Sequence, residues 1–385
     1  MKRQTIINVT GDFYYQNETM TAKMPVVTKS TNALFQDGDL NIVNLEAPIT
    51  NYGSAINKTG PCLKQSDSAI SVLSELNVNL VTLANNHLMD FGVQGYEDTI
   101  NALTAAKIMH VGAGDNIKSA SKPQIIEKNG FKIGVINICE SEWSIADEEC
   151  SGSNPIDLIE NTQQILETKN SVDFLMLIIH GGHEYYNLPS PRIKNLYRYY
   201  AQIGADIVIG HHPHCYSGYE IHQNTPIFYS LGNFLFTKKS NHTGWYTGLI
   251  LQIRLDETAR MSWKLIPVEQ ARLSYSLLIP EANRMLEILN EVDRLSEIIS
   301  CDLALLNEWK NFIAERENTY FQMLSITNAV SNKYLRFILR KFGLSRLTLN
   351  RRLLSYYLNL LRCESHNDLA KHIVANHLRM GENIK

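Results

Sequence analysis

The feature that most constrains the fold is a short apolar segment, residues 205–214, that ends in a cluster of histidines. Residues 207–209 form an apolar, β-branched run that is typical of a buried strand, and a glycine ends this run. Three histidines follow within four positions, namely His211, His212 and His214. Because α/β domains bind ligands beyond the carboxyl ends of their strands, this segment predicts a binding site at a sheet edge.

Similar apolar runs recur along the chain and alternate with stretches of helical periodicity. The pattern predicts strands near 5–10, 39–46, 78–84, 108–111 and 173–179, and helices near 66–76, 93–106, 156–169 and 191–203. Later segments read as hairpins or strands: 125–139, 218–236 with a turn at Thr225-Pro226, 246–254 and 261–268. Together they predict an α/β fold, a layered sandwich of mixed β-sheets flanked by helices.

The sequence pattern changes near residue 280, where the strand signals stop. From there onward, leucines and isoleucines recur at three- and four-residue steps, which is typical of helices. We therefore predict two domains, an α/β domain over residues 1–279 and an α-helical C-terminal region over residues 280–385.

Composition narrows the class of protein. The formal net charge is −3 and no nucleic-acid-binding motif occurs, so we expect no nucleic-acid partner. The six cysteines include no Cys-x-x-Cys pair, which argues for reduced thiols. No apolar run approaches the ~18 residues of a membrane span, and Asn8 and Asp12 interrupt the N-terminal run too early for a signal peptide. We therefore expect a cytoplasmic protein.

Polar side chains follow five of the predicted strands. They comprise carboxylates, an amide and imidazoles, a set that suits one or two divalent ions such as Mn, Fe or Zn. The candidate metal ligands are Asp12, Glu46, Asn86, His180, His212 and His214. His212 and His214 are two positions apart, so an extended backbone would direct both to one face, although His211 remains an alternative to His212.

Such a ligand set predicts hydrolytic chemistry. A bridging carboxylate, for which Glu46 is the candidate, would hold two ions about 3.5–4 Å apart, and such a pair activates water for attack on a phosphoester. His87 directly follows a candidate ligand and is the candidate catalytic proton donor to the leaving group.

Four further residues are candidate substrate contacts: His183, Glu184, His211 and Asn233. Some of them have a structural alternative. His183 could be a surface residue, Glu184 could orient a ligand histidine, and Asn233 could hold the turn after Gly232.

These segments together resemble the CapA family, which is named for poly-γ-glutamate capsule biosynthesis. The resemblance covers roughly residues 5–270 and keeps the order of the motifs. It rests on Gly11-Asp12, Asn44-Leu45-Glu46, Ala84-Asn85-Asn86-His87 with Asp90 and Gly92, His180-Gly181-Gly182 with Glu184-Tyr185, Gly210-His211-His212-Pro213-His214 and Tyr229-Ser230-Leu231-Gly232-Asn233-Phe234. Because the family looks like a branch of the calcineurin-like metallophosphoesterases, the resemblance implies their fold and a small-molecule or polymer substrate.

The resemblance also implies a role for each candidate residue. It makes Glu46 the bridging carboxylate and His87 the proton donor or transition-state stabiliser. The other ligands divide between two ions: Asp12 and His214 on metal one, and Asn86, His180 and His212 on metal two.

Three positions depart from the metallophosphoesterase pattern. That pattern begins with Asp-x-His, whereas Tyr14 stands at the position of the histidine. Glu46 replaces a bridging aspartate, and Gly181 stands where the family often has tryptophan. The missing histidine leaves metal one with fewer ligands. Two hypotheses therefore remain open: a metal-dependent hydrolase or transferase in capsule or exopolymer assembly, and a non-catalytic accessory subunit of a membrane-bound polymer synthase.

The C-terminal region contains a strongly basic segment. Residues 331–363 carry eight basic residues and no acidic residue, interleaved with leucines and aromatic residues. This pattern is typical of amphipathic helices that bind an anionic membrane surface, and it also suits docking on a membrane-bound synthase. The alternative is a helical appendage that packs its leucines on the α/β domain. The first interpretation would make the protein peripheral at the inner membrane.

Overall fold

The computed structural model describes residues 4–16, 26–272, 274–325, 327, 330, 332–342, 349–362, 366–367 and 374. The chain divides into two compact units, Met1–Asn307 and Glu308–Lys385.

The strands are β1 (Thr5–Tyr14), β2 (Leu40–Leu45), β3 (Leu80–Thr82), β4 (Met109–Val111), β5 (Ala113–Gly114), β6 (Gln124–Lys128), β7 (Phe131–Cys139), β8 (Gly152–Ser153), β9 (Phe174–His180), β10 (Ile207–His211), β11 (Tyr219–His222), β12 (Thr225–Phe228), β13 (Asn233–Phe236), β14 (Thr247–Leu255), β15 (Met261–Gln270) and β16 (Leu277–Leu278). The helices are α1 (Lys29–Gln36), α2 (Ser68–Glu75), α3 (Gly92–Ala105), α4 (Ile117–Ala120), α5 (Leu158–Lys169), α6 (Pro191–Gln202), α7 (Ala282–Ser300), α8 (Asp302–Leu324), α9 (Lys333–Lys341) and α10 (Arg351–Arg362).

Two large mixed sheets form the centre of the first unit, and β5 and β8 pair as a separate two-stranded sheet. The first has the order β16-β15-β14-β1-β2-β3-β4, with β13 also paired to β1, and its β1, β2, β3 and β4 are parallel. The second has the order β11-β12-β10-β9-β7-β6, with β12, β10, β9 and β7 parallel. Parallel neighbours end at the same edge, so the strands predicted to carry site residues end together in each sheet.

Alternating side chains of β2 show how the layers pack. Ile42 belongs to an apolar cluster that also contains Ile178 and Ile209 of the second sheet, so this cluster fills the space between the two sheets. Val43 points the other way and packs with Leu73 of α2 in a second cluster. Helices α5 and α6 contact the second sheet. The predicted fold class, an α/β layered sandwich of mixed sheets flanked by helices, is confirmed.

The hairpin predicted over 218–236 is only partly correct. Strands β11 and β12 pair as an antiparallel hairpin, but β13 leaves them and pairs with β1 in the other sheet. The predicted turn at Thr225-Pro226 is wrong, because the turn lies at Gln223 and Asn224, which have φ values of 49° and 72°. Two consecutive residues of positive φ are typical of the tight turns that suit the twist of a hairpin.

Helix α7 begins close to the position where the sequence pattern changes. Its buried residues Ile288 and Val292 join the cluster between the sheets, and the first compact unit continues to Asn307. The division into domains 1–279 and 280–385 stays a prediction. The basic segment 331–363 is described where it forms α9 and α10, and Arg346 lies outside the described residues. Within the described chain, no helix combines the length and apolar composition that crossing a bilayer requires.

Candidate metal centre

The six predicted metal ligands converge at the edge where the parallel strands of both sheets end. Asp12 lies near the end of β1, and His180 is the last residue of β9. The others lie within four residues after the ends of β2, β3 and β10, and all six are at most 8% exposed. Contacts of 3.1–4.0 Å join their oxygen and nitrogen atoms into one cluster: Asp12, Glu46, Asn86, His180, His212 and His214.

Three of these residues form the most compact group. Single ligand atoms of Asp12, Glu46 and His180 all lie within 4.8 Å of one another. Glu46 Oε1 is buried and accepts no hydrogen bond from any described residue, although His180 Nε2 lies 3.7 Å from it. A buried carboxylate oxygen without a donor is costly, and a cation would satisfy it. The residues therefore fit a divalent ion.

On one side of the centre, Asp12 and His214 form a pair that other side chains orient. His214 Nδ1 lies 3.1 Å from Asp12 Oδ2 and 3.0 Å from Asn233 Oδ1. Asn44 donates from Nδ2 to Asp12 Oδ1 and to Glu46 Oε2, both at 2.8 Å. This arrangement matches the pairing of Asp12 with His214 that the resemblance implies.

On the other side, His180 contacts two further candidate ligands. His180 Nε2 lies 3.1 Å from Asn86 Oδ1 and 3.1 Å from His212 Nδ1. The backbone of His212 has a φ of 100°, and that of His214 has a φ of 56°. Non-glycine residues rarely adopt such angles, which concentrate at functional sites where the surrounding structure imposes them.

Burial sets the protonation of the imidazoles. Burial, followed by the charge of His212, lowers the pKa of His180 well below its usual value. Burial and the charge of His214 lower the pKa of His212 to about 4. Burial also opposes the charged form of His214, but the hydrogen bond to Asp12 outweighs it and raises the pKa. His180 and His212 are therefore neutral near pH 7, which is the form that binds metal.

The two carboxylates are shifted in opposite directions. Burial, assisted by the charge of Asp12, raises the pKa of Glu46 well above its usual value. Burial would also raise the pKa of Asp12, but the hydrogen bond and charge of His214 outweigh it and lower the pKa. The raised pKa of Glu46 means that protons compete with a cation for this carboxylate.

His87 lies in a buried cluster with Asp90 and Lys58. His87 Nδ1 is 2.6 Å from Asp90 Oδ2, and the Lys58 ammonium, 2% exposed, contacts the other oxygen of Asp90 and lies 3.2 Å from His87 Nδ1. Burial lowers the pKa of His87 despite the nearby carboxylate of Asp90. The contact with Asp90 fixes the ring and leaves Nε2 as the nitrogen that can exchange a proton with another group.

The four candidate substrate contacts lie in two different environments. His183 is half-buried and Glu184 is exposed, and both lie on the loop after β9. The negative charge of Glu184 contributes to raising the pKa of Glu46 and opposes the lowering of the pKa of His212. Their role as substrate contacts stays a prediction.

The other two candidates, His211 and Asn233, are each 1% exposed. Asn233 contacts His214 and donates to the carbonyl of Trp245. Their role as substrate contacts also stays a prediction.

Several residues of the centre were not predicted as site residues. Asn44, Lys58, Asp90 and Glu142 contact the candidate ligands or the candidate proton donor His87, and Glu142 Oε2 lies 3.5 Å from Asn86 Nδ2. Asn44 and Asp90 lie inside the motifs that resemble the CapA family, so their position in those motifs was a sequence signal for a role in the site. Lys58 and Glu142 lie on irregular segments that no motif covers.

Tyr14 does not contribute to the centre. Its ring stacks on Phe236 at 4.9 Å between centroids, and burial raises its pKa to about 12. The position of the missing first-motif histidine therefore faces the apolar core.

Known proteins resemble this chain in sequence across the part that builds the centre. Residues 6–238 match the family described as bacterial capsule synthesis protein PGA_cap. The PGA biosynthesis protein CapA of Bacillus subtilis (strain 168) is 31% identical over 245 residues, which cover 61% of this chain and 63% of that protein. The capsule biosynthesis protein CapA of Bacillus anthracis is 33% identical over 189 residues, which cover 48% of this chain and 45% of that protein. The chain thus spans less than two thirds of each relative.

Among solved structures, a 5'-nucleotidase precursor from Thermus thermophilus is similar at 14% identity and a TM-score of 0.40, over 76% of this chain and 58% of that chain. The family match covers more than half of the sequence and includes every strand that carries a candidate ligand. The chain belongs to the bacterial capsule synthesis protein family PGA_cap, the CapA family that its motifs resemble.

Proposed function

We propose that this protein is a metal-dependent hydrolase or transferase that acts on a phosphoester or related bond during the synthesis of a capsule or exopolymer. The observation that supports this most strongly is the single buried cluster of carboxylate, amide and imidazole groups drawn from five strand ends. When bound, one or two divalent ions (Mn, Fe or Zn) supply Lewis acidity and a water nucleophile at neutral pH.

The chain's own residues have distinct tasks in this proposal. Glu46 and Asp12 supply the negative charge that holds the cations, and Asn44 fixes both carboxylates by donating to each. His87 holds a proton at Nε2 and donates it to the leaving oxygen, while Asp90 accepts from Nδ1 and stabilises the charged ring.

The decisive experiment separates catalysis from metal binding. Purified protein with added Mn²⁺ is assayed on a panel of phosphoesters and γ-glutamyl amides, and its metal content is measured. In His87→Ala, turnover should fall at least about 100-fold while the metal content stays unchanged, because His87 acts on the leaving group and does not bind the ion. His222→Ala, which removes a histidine that contacts Gln202 on α6, is the matched control and should keep full activity. Full activity in His87→Ala would contradict the assigned role.

The second candidate function is a non-catalytic accessory subunit. The observation that favours this function is the packing of Tyr14 in the core, where it supplies no metal ligand. Elemental analysis of purified protein distinguishes the two functions. Two equivalents of Mn, Fe or Zn per chain support the enzyme, whereas a metal-free protein without activity supports the accessory subunit.

We further propose that helices α9 and α10 bind an anionic membrane surface. Their segment, 331–363, carries eight basic residues and no acidic residue. Apolar side chains on both helices are exposed, from 40% to 71%: Tyr334, Leu335, Phe337, Ile338, Tyr356, Leu358, Leu360 and Leu361. Exposed apolar side chains beside arginine and lysine match the interface of an anionic bilayer, where apolar groups enter the acyl boundary and cations meet lipid headgroups.

Sedimentation of the full chain with vesicles tests this proposal. The protein should bind vesicles that contain phosphatidylglycerol, bind phosphatidylcholine vesicles weakly, and dissociate at high salt. Leu358→Glu/Leu361→Glu and Arg336→Gln/Arg351→Gln should each lose binding. Leu303→Glu and Lys310→Gln on α8 are the matched controls. Equal binding to neutral vesicles, or none to either, would contradict the proposal, and the second result would favour docking on a membrane-bound synthase.

A further inference from the structure

His211 is an unexplained buried group beside the metal centre. It is the last residue of β10 and 1% exposed, and neither ring nitrogen has a hydrogen-bond partner among the described residues. A buried polar group left without a partner costs about 1–3 kcal/mol, so two such nitrogens on one ring require a reason.

The imidazole ring of His211 lies beside Asp12 and away from solvent. His211 Nδ1 is 3.6 Å from Asp12 Oδ1, which is too long for a hydrogen bond. Two ligand atoms that share an ion at about 2.0–2.2 Å, at ordinary coordination angles, lie about 3.0–3.6 Å apart. The separation of 3.6 Å between His211 Nδ1 and Asp12 Oδ1 falls at the upper end of this range.

The number of donors on this side of the centre is small. Asp12 offers one carboxylate and His214 offers one imidazole. Glu46 is a further neighbour, because its Oε1 lies 4.0 Å from His214 Nε2. Zinc and similar ions take four or more ligands, of which at least three usually come from the protein. Among the described residues, the unpartnered Nδ1 of His211 is the nearest imidazole nitrogen that could serve as an additional donor beside Asp12. With this donor, the imidazoles on the His180 side remain available for the other ion.

We propose that His211 binds the same ion as Asp12 and His214, through Nδ1, and so supplies the imidazole that Tyr14 does not. The inference rests on the metal centre of the proposed function. It assigns to consecutive histidines opposite sides of the centre, with His211 beside Asp12 and His212 beside His180.

Cobalt loading tests this assignment without an activity assay. Wild-type protein, His211→Asn, His211→Cys and the control His183→Cys are loaded with Co²⁺, and metal content and absorption spectra are recorded. We expect His211→Asn to lose one of two ions, or to bind that ion at least about 10-fold more weakly. His211→Cys should show a thiolate-to-cobalt charge-transfer band that is absent from wild type and from His183→Cys.

Crystals of Co²⁺-loaded wild-type protein give a readout that does not depend on any variant. An anomalous peak about 2.0–2.3 Å from His211 Nδ1 supports the inference. Ions that bind only farther from His211, or a His211→Asn variant that keeps both ions at wild-type affinity, would overturn it while leaving the metal centre intact. Wild-type protein that binds no Co²⁺ would overturn the metal centre itself.

Discussion

Asn44 hydrogen-bonds both carboxylates of the candidate metal centre with one amide group. Its Nδ2 donates to Asp12 Oδ1 and to Glu46 Oε2, and its Oδ1 accepts from the Thr82 hydroxyl. Two buried carboxylates repel each other, so a neutral donor between them reduces the cost of keeping them close. At the residue scale, the geometry of the centre therefore depends on a residue that binds no ion.

Replacing this amide should weaken metal binding. We expect Asn44→Ala to lower the affinity for Mn²⁺ by about 10–100-fold, because groups that orient metal ligands typically contribute that much. Isothermal titration of the metal-free protein measures the affinity. Asn161→Ala removes a buried amide that contacts Tyr200, away from the centre, and should leave the affinity unchanged. Wild-type affinity in Asn44→Ala would contradict this role.

At the element scale, β1 fixes Asp12 through close contact with the turn before β13. A Cβ atom on Gly11 would lie 1.7 Å from the carbonyl oxygen of Gly232, and the amide of Asp12 donates to that same oxygen at 3.0 Å. Only glycine allows β1 to approach this turn so closely.

Gly11→Ala should therefore destabilise the fold. We expect the free energy of unfolding to fall by about 1–3 kcal/mol or more, because backbone has to move to admit the methyl group. Gly53→Ala is the matched control, since a Cβ there meets no atom within 4 Å. It should be neutral or stabilising by up to about 1 kcal/mol. Urea denaturation measures both, and equal stabilities would refute the close-contact argument.

A second link between elements joins α6 to β11. Arg198 donates to both oxygens of Glu220, at 2.9 and 2.7 Å, and the Tyr229 hydroxyl also donates to Glu220. Burial alone would raise the pKa of Glu220, but the hydrogen bonds from Arg198 and Tyr229 outweigh it and lower the pKa. The link therefore stabilises the fold above the unfolded-state pKa of about 4.3 and is lost as the pH falls through the folded-state pKa.

Glu220→Gln should show this pH dependence. At pH 7 we expect a loss of about 1–2 kcal/mol in the free energy of unfolding, which shrinks below about pH 4. The control Glu291→Gln breaks an exposed pair with Arg294 within one helix and should cost less than about 0.5 kcal/mol. A loss in Glu220→Gln that is independent of pH would exclude the charge as its cause.

At the scale of the whole molecule, the residues of the candidate metal centre come from both sheets. Asp12 and Glu46 come from the first sheet, and His180 and His214 come from strands of the second sheet or the loops after them. One or two ions held by these residues would bind the folded chain and not the unfolded one, so they should stabilise the unit Met1–Asn307.

Chelation should therefore lower thermal stability. At a free ion concentration 100-fold above Kd, the bound ion raises the free energy of unfolding by about 2.7 kcal/mol, which corresponds to a few degrees in Tm. This stabilisation by the ion should decrease when the pH is lowered from about 7.5 to about 5.5. The pKa values of Glu46 and His214 are raised, so protons compete with the ion for both residues. Thermal scans with Mn²⁺ and with chelator at both pH values measure it, and a larger gain at acid pH would contradict this prediction.

The sequence by itself determined most of the strands, the residues that follow them and the family. The continuous apolar run of β9 is buried along its whole length, and the residues after five strand ends were identified from local pattern and side-chain chemistry. Local periodicity reports which residues leave a strand, and metal-binding residue types are few, so both inferences need only neighbouring residues.

Only the tertiary structure decided which donor atoms lie within contact distance of one another. Asn44 reaches Asp12 across 32 positions, and His180 reaches Asn86 across 94. The burial of His211 beside Asp12, of Lys58 beside Asp90 and of Tyr14 in the core depends on how the two sheets and their loops pack. Contacts between residues so far apart in the chain arise from packing, which local sequence patterns do not encode.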